Sequence, residues 1–314
     1  MQPKSQFRTR IVLAAVLVVS AIPCGVKAGV LIWGIRHGYI GKALGDGLDF
    51  WAGGFLALHH HVDMVFDPVA YRGFLNGIYG LPGMPLPTHM WSYPPNYLLL
   101  VTTFDWLSPA QAVMAFDIFS LAVLVWVLRL ARQPWGLIIA VVVSPVALEN
   151  IFESQNSALM TALIGGGFLV LPYRPRLGGV LVGLASIKPQ LGITLPLALF
   201  RRSPVAVAYA ALAALVLAVA SLYAFGAGAW VAFWEVTRPA MSNVLLLGMP
   251  KEFAGGLMSV FATFRPLGVH AALLIQGAVT LGAIAIAARR PEPAVVLILA
   301  ALGSPYLHNY DLLG

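Results

Sequence analysis

Residues 201–225 read RRSPVAVAYAALAALVLAVASLYAF, and from Pro204 to Phe225 no charged side chain interrupts the run. A helix needs about 20 residues to cross a hydrocarbon core about 30 Å thick, so this stretch is long enough to span a bilayer. Ile11–Ile35, Ala112–Leu130 and Val269–Ala288 meet the same condition. The whole chain agrees with them. Of its 314 residues 60% are hydrophobic and 10% charged, and mean hydropathy is +0.85. A soluble domain carries about 25% charged residues, so this chain lacks the polar surface to stand in water. The expected fold class is all-α: one polytopic transmembrane helical bundle over residues 1–314, with lipid as its main partner.

The net charge of +7 does not point to nucleic acid, because the basic residues come as pairs between apolar runs. That is the pattern of a topology signal. Placing inside the N-terminus (Lys4, Arg8, Arg10), Arg129/Arg132, Arg174/Arg176, Arg201/Arg202 and Arg289/Arg290 accounts for eleven of the nineteen basic residues. Residues 37–110 then form a long first outer loop, and 226–266 a second outer segment whose Trp230, Phe233 and Trp234 suit an interface. Read as one straight span, Leu177–Phe200 inverts everything after it, leaving ten basic residues inside and seven outside. The N-terminal run continues past Val26-Lys27-Ala28 to Ile35, so it reads as an uncleaved first span and not a signal peptide. The single Cys24 forms no intrachain disulfide, and no Walker loop, zinc spacing or GxGxxG occurs.

Other apolar runs are too short to cross. Trp135–Leu148 and Ser157–Leu171 rise about 21 and 22 Å as helices, so the turn Glu149–Asn156 should dip below the outer interface. Charge and irregular backbone at that depth are tolerated only against protein or a watery cavity. Leu177–Ile187 rises only about 16 Å before Pro189 breaks the helix, which leaves Lys188 near mid-bilayer. An unpaired lysine there costs at least ~2.5–3.5 kcal/mol, so Lys188 needs an anion: Glu149, Glu153, Asp49 or the phosphate of a lipid ligand. Asp49–His60 has the character of an amphipathic helix on the membrane surface, with Phe50, Phe55 and Leu58 toward lipid. Tyr93-Pro94-Pro95 opens a short apolar stretch to Leu107. Tyr306–Asp311 follows another short run and returns to the outer level.

Each polar residue has a plainer reading. Lys188 fits a structural ion pair as well as a ligand. Asp49 fits an exposed loop carboxylate. Asp46 and Asp67 read as solvated or capping residues, Asp67-Pro68 being a common helix start. His59-His60-His61 is contiguous, so its side chains fan around a helix instead of converging on a metal. His308 reads as an interfacial histidine, or as sharing a helical face with Asp311. Asp117 carries no assignment.

Asp49-Phe50, Trp91-Ser92-Tyr93-Pro94-Pro95, Gln155-Asn156, Lys188-Pro189 and Pro305-Tyr306 with Tyr310-Asp311 occur in this order. In that order the chain resembles the polyprenyl-phosphate-dependent mannosyltransferases of glycosyltransferase family 87, which have the type C membrane fold. The resemblance implies an inverting, metal-independent transfer without a cofactor, on the outer face of a bacterial-type cytoplasmic (inner) membrane. A hexose, typically mannose, passes from a polyprenyl-phosphate sugar to a hydroxyl of a glycolipid or glycan acceptor of the cell envelope. It implies Asp49 as general base, with Lys188 and His308 at the donor phosphate. Glu153, Gln155, Asn156, Tyr93, Tyr310 and Asp311 are then sugar- or acceptor-binding residues.

Two departures accompany the likeness. Glu153-Ser154 precedes Gln155-Asn156 where Gly is expected, which bears on sugar preference. The chain stops at Gly314 where family members continue into further spans, so a C-terminal truncation is expected. Two other classes compete: a lipid or solute transporter, which also uses broken helices and midplane charges, and a non-catalytic assembly partner in the envelope.

Overall fold

The computed structural model describes residues 29, 32, 33, 36, 37, 44–80, 90–247, 257–308 and 311. Most of the expected first span at 11–35, together with Tyr310 and Gly314, lies outside these residues. Within them the chain is helical, with a single isolated antiparallel bridge between Leu257 and His308.

Four short helices come first: α1 (Gly47–Leu58), α2 (Val62–Phe66), α3 (Pro68–Tyr79) and α4 (Pro95–Val101). Asp67 caps α3, accepting the amides of Val69 at 2.8 Å and Ala70 at 3.1 Å, with Pro68 in the first turn where a missing N–H costs nothing. The capping reading of Asp67 therefore holds. The expected surface helix does not lie on a surface. Phe50 is buried in α1, with Tyr93, Tyr97 and Phe116 rings at 5.6, 5.3 and 5.1 Å. Gly53 and Gly54 let α1 meet Trp91 and the backbone of Val101 so closely that no lipid-facing apolar stripe is needed to bury it. Leu58, at the end of the helix, is exposed.

Helix α5 (Pro109–Leu130) is long and apolar enough to cross a membrane. Ser108 and Gln111 close its start reciprocally, and Arg129 sits in its last turn beside the carbonyl dipoles. The next pair, α6 (Trp135–Val142) and α7 (Pro145–Phe152), is bent by 48°. The break thus falls at Val143-Ser144, earlier than expected, and Glu149–Phe152 is helical. Pro145 forces Ser144 into an extended conformation, and the Ser144 hydroxyl accepts the Ala147 amide at 3.2 Å to start the new helix. Only Glu153–Asn156 remains as a turn.

Helix α8 (Ser157–Val170) opens into a π turn at Ala162–Gly166. Gly165 and Gly166 there lie flush against Leu297 and Val127, so the helix is wedged between neighbours. Then follow α9 (Pro175–Ile187), α10 (Leu195–Arg202) and α11 (Pro204–Ala232). Gly179 and Gly183 of α9 touch the backbone of Ala206 and Ala210 on α11. Equal steps of four on both helices mean that α9 and α11 run in the same direction, so α10 runs back between them. Arg176 accordingly stacks over Tyr209 at 5.8 Å, and Arg174/Arg176 share one end of the bundle with Arg201/Arg202. Residues 177–200 therefore fold back as a hairpin and do not form one straight helix.

Helix α11 kinks at Gly226, whose φ of 79° favours glycine, and continues through a π turn at Phe233–Thr237 into Arg238–Leu247. The stretch expected as a second outer segment, 226–266, therefore begins as helix. Leu212, Leu215, Val216 and Val219 of α11 are exposed, as a lipid-facing helix requires. Helix α12 (Val260–Phe264) leads into α13 (Val269–Arg289) and the shorter α14 (Pro293–Gly303). Among the described residues, α5, α11 with its extension, and α13 are three helices long and apolar enough to cross, or four if α6–α7 is one bent span.

A β-carbon at Gly183 would strike the Ala210 carbonyl, a backbone group that cannot rotate away. Gly183→Val should therefore destabilise the detergent-solubilised protein by about 1–3 kcal/mol in thermal unfolding, while Gly192→Ala, which meets nothing within 4 Å, should leave the midpoint nearly unchanged. Asp67→Ala should cost about 1 kcal/mol in the same measurement, through the lost cap.

Candidate active site

Lys188 sits where α9 ends. A 3-10 turn over Ala185–Ile187 tightens the helix, and Pro189 then keeps Lys188 out of the helical conformation (φ −132°, ψ 72°), which turns the chain back. Its side chain is directed into the bundle and is 3% exposed. The ammonium meets Asp311 Oδ1 at 2.5 Å and Asn156 Oδ1 at 3.2 Å. The anion that Lys188 requires is therefore Asp311, none of the acids proposed from sequence. Asp311 Oδ1 also accepts the Ser157 hydroxyl at 3.2 Å, and Oδ2 accepts the His308 backbone amide at 3.2 Å. His308 and Asp311 are linked by this turn and not by a shared helical face. Burial, reinforced by the Lys188 charge and only partly offset by Asp311, lowers the His308 imidazole to about 4, so it is neutral near pH 7.

Asn156 is delivered by the turn after α7. Ser154 takes a left-handed conformation (φ 49°), its hydroxyl donating to Asp117 Oδ2 and to the Ile151 carbonyl, each at 3.2 Å. Asp117 thereby acquires a structural role. Asn150 Oδ1 accepts the Ala158 amide at 3.0 Å, and the Gln155 amide donates to the Asn150 carbonyl at 2.9 Å. The start of α1 packs onto this turn because it carries glycine. Gly45 has φ 55° and lies against the Glu153 backbone, while a β-carbon on Gly47 would come within 2.5 Å of Ser154 Cβ.

That contact brings in Asp46. Its amide donates to the Glu153 carbonyl at 3.1 Å, and its carboxylate accepts Gln155 Nε2 at 2.5 Å. The Tyr93 hydroxyl donates to Gln155 Oε1 at 3.2 Å. A carboxylate only accepts here, so the Gln155 amide has one sensible orientation, with nitrogen toward Asp46 and oxygen toward Tyr93. The expectation that Asp46 is solvated or a helix cap is thus corrected: it makes no side-chain cap. Its flanking glycines were the available signal. Burial pushes the Tyr93 phenol well above its ordinary value, with Tyr97, Asp311, Asp46 and Tyr306 adding to the effect. Tyr306 is raised by burial and then by the same two carboxylates. Tyr93 and Tyr306 therefore lie within the field of both Asp46 and Asp311.

The remaining expected residues are placed as follows. Asp49 lies one helical turn beyond Asp46 on α1, and its carbonyl accepts the hydroxyl of the buried Tyr71 at 2.7 Å. Its carboxylate adds to the upward push that burial exerts on that phenol. Glu153 joins through its backbone. Tyr310 is outside the described residues. Sequence reasoning passed over Tyr97, Asn96 and Ser157. The fully buried Tyr97 hydroxyl lies within hydrogen-bonding influence of the Asn156 side chain, and beyond that contact neither it nor Asn156 Nδ2 has a partner among the described residues. Asn96 Nδ2 donates to Ser186, two residues before Lys188, at 3.3 Å. Underneath, Trp91, Tyr93, Tyr97 and Phe50 form an aromatic floor, with Tyr93 and Tyr97 at 4.4 Å and Trp91 and Tyr93 at 5.7 Å.

A buried cation, a neutral imidazole, two carboxylates and under-used amide and phenol groups over an aromatic floor can hold an anion beside a polyhydroxylated group. Comparison with known proteins bears on this. No curated protein and no solved structure matches the chain. The sequence model of glycosyltransferase family 87 matches residues 91–305, a stretch that includes Trp91, Tyr93, Tyr97, Gln155, Asn156 and Lys188. With more than half of its length matched and membrane-crossing helices around this cluster, the chain belongs to glycosyltransferase family 87 and is a membrane glycosyltransferase.

Proposed function

We propose that the protein transfers a hexose, mannose in the first instance, from a polyprenyl-phosphate sugar to an acceptor hydroxyl of a glycolipid or glycan. The observation that carries this reading is Lys188, a buried cation ringed by hydrogen-bonding groups at the tip of a helix too short to cross. A lipid-borne phosphate is the ligand that reaches such a charge from within a bilayer. The arginines at the start of α9 stand about 20 Å from Lys188 along the helix. With those arginines at the cytoplasmic face, the site opens on the outer side of a bacterial-type inner membrane, the N-terminus being inside.

In the reaction the acceptor oxygen attacks C1 as the bond from C1 to the phosphate oxygen breaks. The electron pair stays on phosphate, and the configuration at C1 inverts. Lys188 stabilises that growing charge, with the neutral His308 ring as a hydrogen-bond donor. Asp49 accepts the proton of the acceptor hydroxyl, one helical turn from the Asp46–Gln155–Tyr93 chain. Asn156 Nδ2, the Tyr97 hydroxyl, Gln155 and Tyr93 bind sugar or acceptor hydroxyls, with Glu153 at the edge of the same turn.

Transfer from a polyprenyl-phosphate sugar by the purified protein tests the reading. Asp49→Asn should lower turnover about 10²–10⁴-fold with an unchanged unfolding midpoint, and Lys188→Gln should abolish productive donor binding. Full activity of Asp49→Asn alongside an inactive Asp46→Asn would move the base to Asp46. Movement of the labelled lipid across vesicles without a new glycosidic bond would replace transfer with transport.

A further inference from the structure

We infer that Asp311 is the product-release residue of this site: a fixed carboxylate beside Lys188 that cancels the extra attraction the lysine would otherwise have for the doubly charged lipid phosphate left after transfer, so that the product is held no more tightly than the singly charged donor. This rests on the reading above, in which Lys188 meets the donor phosphate.

The Asp311 side chain is 1% exposed, and that of Lys188 is 4% exposed. Besides Lys188, the carboxylate is anchored by the Ser157 hydroxyl and the His308 amide. Neither anchor depends on Lys188, so the carboxylate stays in place when the ammonium turns to a ligand. Any phosphate bound to Lys188 Nζ then lies within a few ångström of Asp311, in surroundings where charges are poorly screened.

Charge changes during the reaction. The donor is a phosphodiester with one negative charge. When the bond to C1 breaks and its electron pair stays on the phosphate oxygen, the lipid product becomes a monoester. A phosphate monoester carries about −1.5 to −2 at pH 7. Attraction to Lys188 and repulsion from Asp311 both scale with this charge. A bare lysine would hold the product more tightly than the donor and stall the enzyme. With Asp311 beside it the two effects offset, and the site becomes nearly indifferent to ligand charge. When the product leaves, Lys188 returns to Asp311, so its charge is not left buried without a partner.

The test is equilibrium binding to the full chain in detergent micelles at about pH 8, above the monoester's second pKa of about 6. The probes are a polyprenyl monophosphate and its methyl phosphodiester, an unreactive stand-in for the donor. The wild-type protein should bind the two within a few-fold of each other. Asp311→Asn, which keeps the shape and an acceptor oxygen for Lys188, should tighten the monoester about tenfold and the diester less. A tenfold preference of the wild type for the monoester overturns the inference, and so does weaker binding of both probes by Asp311→Asn. The wild-type comparison decides the matter even if the variant fails to fold. Lys188→Gln separates the two claims. Loss of both probes in that variant keeps the phosphate reading whatever Asp311 does, whereas unchanged binding removes that reading and this inference with it.

Discussion

A lysine ammonium inside a lipid-embedded bundle must be neutralised where it stands, and much of the described architecture answers that constraint. Lys188 is carried inward because α9 ends early and Pro189 prevents its continuation. Its counter-charge comes from Asp311, 123 residues away in sequence, at 2.5 Å. Around the pair, Ser157, Asn156 and the His308 amide supply the hydrogen bonds that make a buried ion pair tolerable. Without those neighbours the desolvation of two charges would exceed their attraction.

Holding these groups requires rigid backbone at unusual depth, and glycine contacts provide it. Gly179 and Gly183 bring α9 against α11, which settles where Lys188 stands relative to the arginines at the other end of the hairpin. Gly45 and Gly47 bring the start of α1 onto the Glu153–Asn156 turn, and that contact places Asp46 on Gln155. Close backbone approach is the usual means of helix association in lipid, where apolar burial alone gives no driving force. Here the same packing that stabilises the bundle assembles the polar cluster. The Asp46–Gln155–Tyr93 chain then fixes the direction of an amide before any ligand arrives, a form of preorganisation.

The aromatic floor links packing to chemistry in another way. Phe50 fills the space between Tyr93, Tyr97 and Phe116, and Trp91 closes the other side. These rings pack closely on one another beside the side chain of Gln155, which Tyr93 holds. They also explain why α1 is not a surface helix. An aromatic side chain of that size, offered a closely packed aromatic pocket, is better buried in protein than left against lipid.

The amino-acid sequence by itself determined the membrane bundle, the short helices and the reversal at Lys188-Pro189, because these depend on local properties: run length, charge at run ends and proline geometry. It also pointed to the region of Tyr93, Gln155, Asn156, Lys188, His308 and Asp311, since polar residues between short apolar runs have few places to go. Only the tertiary structure decided which acid meets Lys188, that Asp46 reaches Gln155, that Phe50 faces inward, and that α7 continues to Phe152. The first three are pairings between residues 43 to 123 apart, set by helix contacts at glycine and by backbone conformations such as that of Ser154. No periodicity or spacing along one chain encodes them, because every candidate acid satisfies the same local electrostatic need.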